Sequence, residues 1–117
     1  MKPQDVLMAV VDAGVVLWVD GARLRFRAAT GVVVHAIRAQ VPPCRVAIVA
    51  LVRAGAVLPV RVADWPAESR DDFEERAGIL EFDGGLARMD AEIEAERLVR
   101  STFTETFIQR VLPRSSP

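Results

Sequence analysis

Gly14-Val15-Val16-Leu17-Trp18-Val19-Asp20-Gly21-Ala22-Arg23-Leu24-Arg25-Phe26-Arg27-Ala28-Ala29-Thr30-Gly31 is the stretch that decides the fold. An apolar run, Val15 to Val19, precedes Asp20-Gly21, and an alternating run, Ala22 to Arg27, follows it, which reads as a β-hairpin with two unlike faces. Tight hairpin turns demand positive φ, which Gly tolerates readily and Asp less so. A turn made of Asp20 and Gly21 alone sets Val19 opposite Ala22, Leu17 opposite Leu24 and Val15 opposite Phe26. That face is apolar. The other face sets Trp18 beside Arg23 and Val16 beside Arg25, with Arg27 beyond. A hairpin with an apolar back and an Arg/Trp front predicts a surface that binds something.

Helices are expected on both sides of the hairpin. Pro3 to Ala13 opens with a proline in the first turn, where its missing N–H loses nothing, and Gly14 supplies the stop. Val32 to Val41 reads as a short helix of poor propensity. Pro42-Pro43 breaks it, and Cys44 to Ala54 follows as a helix apolar on most sides. A helix of that composition needs to be nearly enclosed, by this fold or by a second copy. Residues 56–70, with Pro59, Pro66 and Trp65, are expected to form a linker, its 57–62 stretch edge-like, with Trp65 as an anchor. Arg70 to Phe82 and Ala87 to about Val111 read as two helices joined at Asp83-Gly84-Gly85. In the second, Met89, Ile93, Leu98, Val99, Phe103, Phe107 and Val111 fall towards one side. Residues 113–117 are expected to be a disordered tail. The fold class is therefore α+β, with a module over 1–55 and an acidic helical hairpin over 71–112.

The near-zero net charge of −1 hides an asymmetry. Residues 1–63 carry eight basic residues against three acids, or +5, and residues 64–117 carry seven against thirteen, or −6. Halves of opposite charge attract each other within or between molecules. With the apolar Cys44–Ala54 helix, this predicts self-association as a homodimer.

Composition excludes several classes. One cysteine, Cys44, and one histidine, His35, rule out an intrachain disulfide, a Cys/His zinc site and a Cys-based cluster. Asp83-Gly84-Gly85 lacks the lysine of a phosphate loop and the ligand series of a calcium loop. No cofactor or metal is expected. With no convergent set of titratable groups, no catalysis is expected either. No apolar run reaches the roughly 18–20 residues of a membrane helix. Met1-Lys2-Pro3 lacks the order of a signal peptide, so a cytoplasmic location is expected.

The hairpin sequence from Gly14 to Ala28 resembles the N-terminal docking domain of the TubC type, found at the front of nonribosomal peptide synthetase and hybrid polyketide synthetase subunits. The family pattern is a helix, then G-V-x-L-W-x-[DE]-G-x-[RK]-L-R-[FY]-R-A, a glycine and two helices. The likeness covers about residues 3–54, including the spacing from Gly31 to Arg53. Where the family commonly has Thr-Pro-Glu, this chain has Val34-His35-Ala36. The resemblance implies an αββαα fold and recognition of a short, often acidic segment of a partner protein. It implies Trp18, Arg23, Arg25 and Arg27 as the contacts. The stretch Phe73 to Leu86, ending in Asp83-Gly84-Gly85-Leu86, resembles a segment of small bacterial proteins of plasmid, phage and integrative-element type.

Three readings of the Arg/Trp face stay open at this point. It is a solvated strand face, on which long arginines cover apolar surface. Or it is an adaptor surface that grips carboxylates with the planar arginine fork. Or it belongs to a nucleic-acid-associated accessory protein of a bacterial mobile element or phage, pairing phosphates and stacking bases on Trp18. The acidic second half weighs against nucleic acid.

Overall fold

The structure, a computed structural model, describes residues 2–28 and 38–112. The expected 32–41 helix lies mostly outside the described residues, as do His35 and the 113–117 tail. Residues 38–40 are helical. The fold is α+β. In chain order the regular elements are α1 (Pro3–Asp12), β1 (Val16–Asp20), β2 (Arg23–Arg27), α2 (Arg45–Arg53), α3 (Ala67–Phe82) and α4 (Arg88–Val111). Single 3₁₀ turns at Pro42–Cys44 and Val62–Asp64 precede α2 and α3.

Two helices end in the same way. The Gly14 N–H donates to Val11 O and the Val15 N–H to Val10 O; Gly55 and Ala56 repeat this towards Val52 O and Leu51 O. These are Schellman ends, which need a left-handed residue. Gly14 and Gly55 supply it, at φ 88° and 96°. Each delivers the next residue, Val15 or Ala56, straight into the core.

The hairpin forms with a register different from the expected one. Val19 pairs with Leu24, Leu17 with Phe26, Trp18 with Arg25 and Val16 with Arg27. The loop is therefore Gly21-Ala22, not Asp20-Gly21, and Asp20 pairs with Arg23. Gly21 has φ 61°, and no residue other than glycine has a positive φ among the described residues. Positive φ at the first loop position alone is the type II′ pattern, which asks for Gly first and accepts Ala second. The slip is two residues, so it leaves every side chain on its expected face.

A first core joins Val6, Leu7, Val10 and Val11 of α1 to Val15, Leu17, Ile48 and Ala56. The spacing of the α1 residues gives that helix one apolar stripe. Only Ile48 of α2 is fully buried, and Val46 is 83% exposed. The expectation of a nearly enclosed helix is thus met on one side alone. Cys44 is half-buried, with its thiol donating to Gln40 O.

A second core joins Leu58, Trp65, Phe73, Ala77, Ala95 and Val99. Trp65 meets Phe73 edge to face, with centroids 6.0 Å apart. The α3–α4 contact rests on Ala77, Ala91 and Ala95, all fully buried. Small residues let the two backbones approach closely. That rotates α4, so Met89 and Ile93 are exposed and not part of an inward stripe. Arg100 and Thr104 are buried instead. The second half of the chain is also fastened to the first: Arg97 donates to Asp12 O at 3.2 Å and the Ser101 hydroxyl bonds the Asp12 carboxylate.

Candidate functional site: a groove along the first strand

Among the described residues the sheet has two strands, and β1 has an unpaired edge. A groove of about 460 Å³ runs along that edge. Leu17, Trp18, Val19 and Gly21 line one side, and Val57, Leu58, Pro59 and Val60 the other; Val52 and Arg53 close the α2 end.

The second wall belongs to the segment expected to be a linker, and it is held firmly. Arg100 donates to Leu58 O at 3.1 Å and to Val60 O at 2.9 Å. Trp65 Nε1 donates to the intervening Pro59 O at 2.8 Å. Three successive carbonyls are thus fixed by two side chains that themselves stack, the Arg100 guanidinium lying 5.0 Å from the Trp65 ring centroid. Such a cation–π contact adds about 0.5–2 kcal/mol. Ala56, Leu58 and Trp65 are all within the core, so the 56–65 stretch is structural.

Arg100 is 5% exposed. Burial lowers its pKa, and the hydrogen bond from its Nε to Glu96, 2.9 Å long, opposes that shift. A guanidinium stays charged in proteins, so this is a buried cation with its donors matched to carbonyls and one carboxylate. Glu96 also lies 3.9 Å from Arg27 of β2, linking the acidic half to the hairpin.

Register places the four expected site residues, Trp18, Arg23, Arg25 and Arg27, on one face of the hairpin. Trp18 is half-buried in the groove, with Arg25 directly across from it. Arg25 forms a diagonal ion pair with Asp20 at 3.0 Å. Arg27 faces Glu96. Arg23 is exposed and, among the described residues, in no ion pair. Val16 on the same face is buried. The Arg/Trp face is therefore covered at its Val16 end and open towards the turn.

Sequence reading missed Arg53, Arg100 and the 57–60 wall. Arg53 Nη2 donates to Gly21 O at 2.6 Å, tying α2 to the hairpin loop and leaving a cation at the groove mouth. The signal for the wall was Pro59 inside an apolar extended run with a tryptophan six residues on. Nothing local marks Arg100.

Among the described residues no cluster of His, Cys, Asp and Glu is placed to hold a metal ion, and no helix is long and apolar enough to cross a membrane. Comparisons with protein-family models, with curated proteins and with solved structures found no match for the chain.

Proposed function

We propose that this protein is a non-catalytic adaptor that captures an acidic, extended segment of a partner protein along the Trp18 groove. The observation that carries the reading is the groove itself. An unpaired strand edge faces a wall whose carbonyls are already fixed, so little ordering remains to be done on binding. A strand laid on β1 takes up its outward N–H and C=O groups. Its side chains meet Trp18 on one side and the cations Arg23, Arg25 and Arg53 around the turn. Arginine forks suit carboxylates because they bind them bidentately.

On this reading residues 3–54 form an αββαα docking module of the TubC type. The biological setting is cytoplasmic, in a bacterial mobile element or secondary-metabolism system. The Arg27–Glu96 contact is an internal stand-in for part of the partner's charge. The test is a fluorescence titration with a peptide of alternating Asp/Glu and Val. Micromolar binding that weakens with salt supports the reading. Equal or tighter binding of single-stranded DNA favours the nucleic-acid alternative.

A further inference from the structure

A second groove lies between α3 and α4, with a volume of about 650 Å³. Its two walls differ in chemistry. From α4 come Val99, Phe103, Phe107 and Val111, one residue every four positions. That spacing makes a continuous apolar stripe about 18 Å long. From α3 come Glu68, Asp71, Asp72 and Glu75, at i, i+3, i+4 and i+7. This is the spacing at which a packed helix presents its buried stripe, and here it presents four carboxylates. Asp72 is paired with Arg76 at 3.1 Å; Glu68, Asp71 and Glu75 are in no ion pair among the described residues. Phe103 and Phe107 remain half-buried, and Val111 is exposed.

We infer that this groove receives a basic amphipathic helix from a partner protein. A helix fits because α1 packs on another side of α4 and leaves the channel between α3 and α4 open, with an apolar stripe along one wall. Its apolar residues lie on Phe103 and Phe107. Its Lys or Arg residues lie along the α3 flank, opposite the unpaired carboxylates. The α4 flank, with Thr102, Thr106 and the cation Arg110, asks for small, neutral or acidic residues, so the basic residues of the ligand are confined to its α3 side. The two grooves thus select opposite chemistries: an acidic strand at the hairpin and a basic helix at the C-terminal pair. The inference stands independently of the hairpin reading, since no residue is shared between the grooves.

The test uses the full chain and a labelled Lys/Leu peptide of about 14 residues designed as an amphipathic helix, long enough to cover the stripe. Two control peptides replace Leu by Ser, or Lys by Glu. The Lys/Leu peptide is expected to bind and to gain helicity by circular dichroism, and both controls to bind about tenfold or more weakly. The exposed substitutions Asp71→Lys with Glu75→Lys, and separately Thr106→Lys, are expected to weaken it by about tenfold or more without changing the melting temperature. No binding, equal binding of the Lys/Ser peptide, or unchanged affinity in the charge-reversed variants overturns the inference. A self-associated species that the same charge reversal dissociates also overturns it, assigning the groove to a second copy.

Discussion

Replacing Arg100 by methionine tests whether the groove wall depends on one buried cation. Arg100→Met keeps most of the side-chain volume and removes three charge-assisted donors. Each hydrogen bond to a charged group contributes roughly 1.5–3 kcal/mol. Two acceptors, Leu58 O and Val60 O, are left without their donor. Breaking a buried charged pair typically costs about 3–5 kcal/mol. Here Glu96 retains a second cation, Arg27, and its side chain is 27% exposed, which softens the penalty on the carboxylate. Methionine can also pack against Trp65. The expected loss is therefore at the lower end, about 3 kcal/mol, against a total stability of about 5–15 kcal/mol for a domain of this kind. In urea this is a fall in midpoint of about 1–3 M. Arg100→Lys, which keeps the charge but not the fork, should lose less. A destabilisation below about 1 kcal/mol for Arg100→Met would refute the reasoning. So would a loss as large for lysine as for methionine, because the fork would then be irrelevant.

Other perturbations follow from the same contacts. Trp65→Phe keeps the aromatic contact with Phe73 but frees Pro59 O; denaturation should show a loss of about 1–2 kcal/mol, and the peptide titration a weaker fit at the groove. Gly21→Val should cost about 1–2 kcal/mol although nothing lies near the added side chain, because the penalty is the left-handed backbone; a neutral result would mean the loop has moved. Leu17→Ala should cost about 2–5 kcal/mol by cavity formation in the first core, measurable by calorimetry. The Glu94 carboxylate is held below its ordinary pKa chiefly by its hydrogen bond to Arg97. A lowered folded-state pKa means stability that is present above the unfolded value and is lost as pH falls through the folded one. Both groups are about a third exposed, so Glu94→Gln should remove less than about 1 kcal/mol at neutral pH and nothing in strong acid.

Much of the hairpin was legible because alternation is a local property. The apolar set Leu17, Val19, Leu24 and Phe26 and the opposing Trp18, Arg23, Arg25 and Arg27 follow from parity, and parity survives a two-residue slip. The register did not follow, because Asp20-Gly21 and Gly21-Ala22 are both acceptable loops and only backbone φ separates them. The helix ends at Gly14 and Gly55 were legible from glycine itself. The α3–α4 interface was not: alanines carry little weight in an apolar pattern, so the larger Met89 and Ile93 drew the stripe to the wrong side. Arg100 reads as one more solvated arginine in a charged helix, because its partners lie some forty residues earlier in the chain. The 56–65 segment reads as a linker because its prolines forbid regular structure, and burial needs none. The start of α3 at Ala67, ahead of the expected Arg70, reflects Pro66 at the helix entrance, where proline is well tolerated.

The open part of the Arg/Trp face is proposed to bind an acidic segment and to do little for stability. The most direct measurement is calorimetric titration of the Asp/Glu–Val peptide into wild type and into Arg23→Ala/Arg25→Ala, with melting curves of both. Arg23 has no ion pair among the described residues, and Arg25 has only the exposed pair with Asp20, which contributes about 0–1 kcal/mol. A nearly unchanged melting temperature and an affinity reduced by about tenfold or more are expected, since each lost charge-assisted contact is worth roughly 1.5–3 kcal/mol. Wild-type affinity in a folded double variant would contradict the proposal and leave the hairpin as scaffold alone.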